Sequence, residues 1–142
     1  MTRLFALLAP LFLLAACQNG MAGSQEEDVR PFAGIDAAET VRFSGTEPFW
    51  GGEVTASQLR YTTPDDPDGA AIAVDRFAGR NGVSWIGTLD GADFVLAVTP
   101  EQCRDGMSDR TYPYAALLKI GADQREGCAW TDAQPFTGPD AP

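Results

Sequence analysis

Five stretches of this chain alternate apolar and polar residues with a period of two. Each is followed closely by residues that reverse a chain. "VRFSG" sets Val41 and Phe43 against Arg42 and Ser44, and "QLRYTT" sets Leu59 and Tyr61 against polar neighbours. "VSWIGTL" puts Val83, Trp85 and Leu89 on one face, and "ADFVLAVT" does the same with Phe94, Leu96 and Val98. "YPYAALLKI" aligns Tyr112, Tyr114, Ala116, Leu118 and Ile120. A strand sends successive side chains to opposite faces, so this period is the signature of half-buried strands. Turn signals separate the runs: "PDDPDG" at 64–69, Asn81-Gly82, Asp90-Gly91 and "GAD" at 121–123. Asn-Gly and Asp-Gly supply the positive φ angles that two-residue hairpins need. Short strands at regular spacing with no helical period predict an all-β domain. We expect a small antiparallel barrel or sandwich of about 7–8 short strands.

The ends of the chain read differently. "MTRLFALLAPLFLLAAC" carries one positive charge at Arg3, an apolar run from Leu4 to Leu14, and then small residues before Cys17. That is the layout of a secretory signal peptide, too short to be a membrane span. Leu14-Ala15-Ala16-Cys17 resembles the cleavage site of bacterial lipoproteins, in which the cysteine thiol is acylated and becomes the first mature residue. Residues 1–16 are therefore expected to be a leader, and Cys17 a lipid attachment point that holds the chain to a membrane. Several acyl chains anchor a protein durably without a spanning helix. Gln18 after the cysteine resembles the sorting signal for the outer membrane, giving a periplasm-facing, lipid-anchored protein of the cell envelope. Residues 17–40 have no sustained period and read as a tether, flexible in its first half. Residues 131–142, with Pro135, Pro139 and Pro142, read as a loose tail. The folded domain is then expected over 41–130.

Charge and cysteine count narrow the functional classes. Of the 10 basic residues Arg3 leaves with the leader, so nine face 20 acidic ones and the net charge becomes −11. A field of that sign repels phosphate backbones and anionic lipid headgroups, which argues against nucleic-acid binding and favours solubility or a cationic partner. The chain has no histidine, the commonest general base and metal ligand. With Cys17 acylated, two cysteines remain, Cys103 and Cys128. In an oxidising compartment such a pair reads as a disulfide. No C-x-x-C spacing supports a redox role instead.

Two segments stand apart from the strand pattern. In "GTEPFWGGEV", Pro48 marks a strand start or a bulge, because it has no N–H to give a ladder. Phe49 and Trp50 are adjacent and must face opposite ways, one into the core and the other outside or into a groove. Gly51-Gly52 leaves room for a close backbone approach or for a large ring lying across the strand. "CRDGMSDRTYPY" packs Cys103, Asp105, Ser108, Asp109, Arg110, Tyr112 and Tyr114 into a dozen residues. Gly106 permits a reversal, while Asp105 and Ser108 are natural turn-formers. Arg110 either pairs with Asp109 or reaches Glu47, since half-buried charges need partners.

Together "GTEPFW", "LRYTTP", "CRDGMSDRTYPY" and "GCAW" resemble a family of small envelope proteins of Gram-negative bacteria, often lipoproteins. The resemblance covers 43–130 and implies a β-rich envelope domain with a Cys103–Cys128 pair. It implies no activity. Relatives sometimes carry domains of the META or lysozyme-inhibitor type beside it.

Ser108 lacks a histidine to activate it, and Lys119, the one lysine, lies well past the loop. Asp105 and Asp109, with Glu47, offer paired carboxylates for glycan hydrolysis only if one is held protonated. "DGMSD" offers oxygen ligands for Ca²⁺ but lacks the ligand number and spacing of an EF-hand loop, and two arginines flank it. Neither a metal nor a cofactor is expected. The favoured reading is a non-catalytic binding or structural module, with Glu47, Trp50, Asp105, Ser108, Asp109, Arg110, Tyr112 and Tyr114 as its binding residues. Its partner would be a cationic envelope protein, a peptide or a cell-wall fragment. The alternatives are an inhibitor of a cationic wall-degrading enzyme and, behind it, a glycan hydrolase.

Overall fold

The computed structural model describes residues 30–139. The expected leader, Cys17 and the first part of the tether lie outside the described residues. The rest forms one closed antiparallel barrel of eight strands in sequence order, with β1 pairing back onto β8. The strands are β1 (Val41–Gly45), β2 (Trp50–Thr55), β3 (Gln58–Thr63), β4 (Asp66–Ala78), β5 (Val83–Leu89), β6 (Ala92–Thr99), β7 (Tyr114–Ile120) and β8 (Asp123–Thr131). No described residue is helical.

Alternation along each strand sends one set of side chains inward. Val41, Phe43, Leu59, Trp85, Phe94, Leu96, Val98 and Leu118 are all at most 2 % exposed and share one core. An eight-stranded barrel is just wide enough for side chains to fill. Here large rings fit because glycines face them. The Trp50 indole lies against Gly45 and Gly127, and the Phe43 ring lies on Gly52. The space anticipated beside Trp50 is thus provided mainly by β1 and β8, while Gly52 receives a different ring.

One end of the barrel, here called the upper end, is closed by residues expected to be tether. Ile35 is 2 % exposed and belongs to the barrel core, and Phe32 packs against it. The segment is stitched down by backbone groups. Tyr114 donates its hydroxyl to the Gly34 carbonyl at 3.1 Å, Arg76 Nη2 donates to the Ile35 carbonyl at 2.8 Å, and the Phe32 N–H donates to the Gly79 carbonyl at 2.7 Å. The other chain end is held as well. Thr111 and Thr137 exchange backbone hydrogen bonds at 2.9 Å, so this stretch is docked rather than loose. Contacts therefore extend beyond 41–130 at both ends, because apolar residues isolated in polar sequence find a place on a finished barrel.

The 64–69 region also differs from expectation. Only Pro64 and Asp65 turn the chain; β4 begins at Asp66 and runs 13 residues, the longest strand, with a register shift opposite Tyr61 and Thr63.

Candidate functional site

Residues 100–113 connect the upper ends of β6 and β7, and they do not take the short route. Cys103 bonds to Cys128, with 5.5 Å between the Cα atoms. Cys128 alternates with the inward Ala129, so this disulfide draws the connection against the outer wall of β8. Cys103 and Tyr112 then exchange backbone hydrogen bonds at 2.8 and 2.9 Å, closing the base of a strap. Thr46, in the β1–β2 turn, donates to the Asp105 carbonyl at 3.4 Å, so the strap reaches towards the lower end of β1.

Asp105 organises the strap. Its Oδ1 accepts the backbone N–H of Met107 at 3.0 Å and of Ser108 at 2.8 Å. Its Oδ2 accepts the Ser108 hydroxyl at 2.7 Å and the Tyr112 hydroxyl at 3.2 Å. Burial alone would push this carboxyl up. The four donors outweigh it and hold the group at about 2, against an ordinary 3.8. Asp105 is thus an ionised, fully occupied acceptor. Gly106, at φ +74°, makes the reversal that brings Met107 and Ser108 back to it.

A second, smaller cluster sits on the outer wall beside the disulfide. The Tyr112 ring lies 5.3 Å from the Trp130 ring and 5.5 Å from Phe136, and the Arg110 guanidinium lies 4.5 Å above the Phe136 ring. Arg110 Nε also donates to the Pro139 carbonyl at 2.8 Å. Arg110 is thereby directed to the C-terminal stretch, which the sequence reading did not place beside it. Tyr112 is 3 % exposed although it faces outward from the barrel, because strap and C-terminal residues cover it.

The expected binding residues are therefore divided. Asp105, Ser108 and Tyr112 come together, but as the internal bracing of the strap. Trp50 and Tyr114 are 4 % and 2 % exposed inside the barrel and offer no surface; the residue beside Trp50 that points out is Phe49. This corrects their expected role as anchors: on a barrel wall an amphipathic ring is as readily an inner residue. While the Tyr114 hydroxyl reaches the Gly34 carbonyl, the Trp50 Nε1 is buried with no hydrogen-bond partner. Asp109 is exposed on the strap, and Glu47 is exposed in the β1–β2 turn, where with Arg125 and Glu126 it borders a depression of about 520 Å³.

The larger concavity, about 700 Å³, lies under the strap. Ala97, Ala115 and Leu117 line it from the outer face of β6 and β7, and Glu101, Arg104 and Glu126 are among its polar residues. Of the residues singled out in the sequence, it uses Asp105, Cys103 and Cys128. The missed residues gave a usable signal: Ala97, Ala115 and Leu117 are the off-phase positions of two strands, apolar where a solvated outer face would be polar. Among the described residues, no group of three or more carboxylate or cysteine side chains is placed to hold a metal ion. No family model, curated protein or solved structure matches the chain, so the motif resemblance stands on its residues alone.

Proposed function

We propose that the barrel is a non-catalytic recognition module, held at the cell envelope by lipid on Cys17, and that the groove under the strap is its binding surface. The observation that carries this reading is the groove's composition. Its apolar β6–β7 lining meets Glu101 and Glu126 beneath a strap fixed by a disulfide. A preformed, mainly apolar concavity with a few convergent polar groups is the usual form of a binding site. The chain's acidic balance adds a preference for a cationic occupant through long-range attraction. A basic envelope protein or peptide with an apolar side chain to seat on Leu117 fits best. An inhibitor of a basic wall-degrading enzyme is a special case of that partner. Hydrolysis is disfavoured, because Asp105 is held ionised by four donors, two of them the Ser108 N–H and hydroxyl.

The test is crosslinking to native envelopes with the soluble chain from Gln25 onward, beside folded Leu117→Glu and Glu126→Lys variants. A partner captured by the parent, lost on Leu117→Glu and weakened by Glu126→Lys and by added salt supports the groove. Equal capture by all three, or none by any, removes it.

A further inference from the structure

The outside of the barrel has two unlike halves. From β8 round to β3 the outward positions include Glu126, Arg42, Glu53 and Arg60. From β4 to β6 they include Ala71, Ala73, Phe77, Ile86 and Val95, with Asp75 opposite Ile86 and Asp93 below Val95. Phe77 and Ile86 are 64 % and 49 % exposed and lie on adjacent strands, one pair apart. Two large apolar side chains exposed diagonally across neighbouring strands, with Val95 opposite Ile86, give this face more apolar surface than the other half and make it a candidate contact surface.

The course of the chain says what that surface meets. The Phe32 N–H donates to the Gly79 carbonyl, so the N-terminal segment joins the barrel at the β4–β5 turn, two residues past Phe77. Only twelve residues, 18–29, separate Cys17 from Arg30. Fully extended they span about 40 Å, so an anchor at Cys17 keeps the Phe77 edge within about that distance of its membrane. Arg30 and Arg80 are exposed at the same edge. The net charge of −11 opposes a second copy and an anionic lipid surface alike; the tether favours the lipid, because it holds that surface within reach of this edge.

We propose that the β4–β5 face, through Phe77 and Ile86, rests on the lipid surface to which the chain is anchored. This rests on the reading of Cys17 as the lipid attachment point. The patch is too small to hold a free protein. Tethering makes the contact intramolecular, so a weak face is enough to set orientation. In the ring of eight strands β4 and β5 stand four places from β8 and β1, where the disulfide pins the strap. Docking by Phe77 and Ile86 therefore turns the strap away from the membrane.

The experiment places a fluorinated phenylalanine at position 77 or, separately, at position 49. Phe49 is 54 % exposed in the turn at the opposite end of the barrel and serves as a matched control. The chain from Cys17 onward retains every described residue. Its one free thiol is coupled to a maleimide-headgroup lipid in phosphatidylethanolamine–phosphatidylglycerol vesicles carrying a paramagnetic lipid. Fluorine NMR is expected to show severalfold broadening at 77 and little at 49, and none at either position without coupling. Equal broadening, broadening at 49 alone, or none overturns the proposal. So does shielding of position 77 in lipid-free solution that grows with protein concentration, which assigns the face to a second copy. The mass of Cys17 in chain purified from native envelopes judges the anchor separately. An unacylated Cys17 would remove the anchored reading and the native docking with it, while broadening in the coupled chain would still report whether the face can meet lipid.

Discussion

The Tyr112 hydroxyl donates to Asp105 Oδ2 at 3.2 Å, and this bond joins the two limbs of the strap that the Cys103–Tyr112 backbone pair closes at its base. Seven residues separate the partners in sequence, and the turn at Gly106 brings them face to face. Asp105 thereby satisfies two backbone N–H groups and two hydroxyls at once. Replacing it with alanine is expected to lower stability by about 1–2 kcal/mol, the cost of several donors losing a charged acceptor in a partly solvated loop. Urea unfolding at neutral pH measures this.

The same carboxylate gives a pH dependence with a definite sign. Its folded pKa, about 2, lies below the ordinary 3.8, so its contribution is fully present above the unfolded value. That contribution is lost as pH falls from about 4 through about 2. Asp105→Asn should therefore be less stable than the parent at pH 7, and the gap should narrow steadily on acidification below pH 4. A gap that is constant from pH 7 to pH 2 would show that the carboxylate charge does not hold the strap.

Removing the disulfide should be costlier than removing any single bond of the strap. Cys103 and Cys128 are 25 residues apart, and the chain-entropy estimate for such a loop is about 3.5 kcal/mol. The Cys103→Ser/Cys128→Ser double variant is expected to unfold at correspondingly lower denaturant. Proteolysis should then reach the strap before the barrel, because the barrel ladder does not depend on it.

Gly127→Ala tests the packing of large rings on bare backbone. The added methyl would lie 2.8 Å from Trp50 Cζ2 and also fall on the Ser44 carbonyl, which cannot step aside within a ladder. Overpacking of this kind costs about 1–3 kcal/mol or more. Gly91→Ala is the comparison: it meets nothing within 4 Å and carries only the strain of a φ of +81°. That strain is about 1–2 kcal/mol. The ranking of the two in thermal unfolding, with Gly127→Ala the lower, is the expected outcome.

Ile35→Ala should cost about 2–5 kcal/mol, the range for emptying a fully buried aliphatic site. A chain begun at Val41 should lose at least as much, since it also strips the Gly34 carbonyl from Tyr114. Equal stability of the chains begun at Arg30 and Val41 would show that the upper end closes without this segment.

The sequence made some parts of this molecule legible for a physical reason. β1 and β3 announce themselves because large inner residues alternate with polar outer ones, and β5, β6 and β7 because their inner residues recur at every second position although outer Ile86, Val95, Ala97, Ala115 and Leu117 are apolar. Asp90-Gly91 marks its turn because both residues need positive φ, at 50° and 81°. β4 was hidden: its outer Ala71 and Ala73 are apolar, which flattens the period, and Asp66, Pro67 and Asp68 look like turn. The Ala56 turn at φ +52° has no turn chemistry to betray it. Trp50 and Tyr114 misled because alternation fixes that neighbours face opposite ways and leaves open which way is in. Ile35 and Phe136 misled because each is a lone apolar residue in polar surroundings, and only the assembled barrel offers it a place. The groove lay in the off-phase residues, where attention to the inner face does not look.

Closure of the barrel has one more consequence. With β1 hydrogen-bonded to both β2 and β8, every described strand has a neighbour on each side, and open backbone groups are confined to overhangs such as residues 66–73 of β4, which pair with β3 but lie beyond the ladder to β5. Away from those overhangs, a partner of the proposed groove would be gripped by side chains rather than by strand addition. Specificity then resides in a handful of outward positions that the fold does not need. Those positions can drift, and the partner with them, while the barrel inside stays the same.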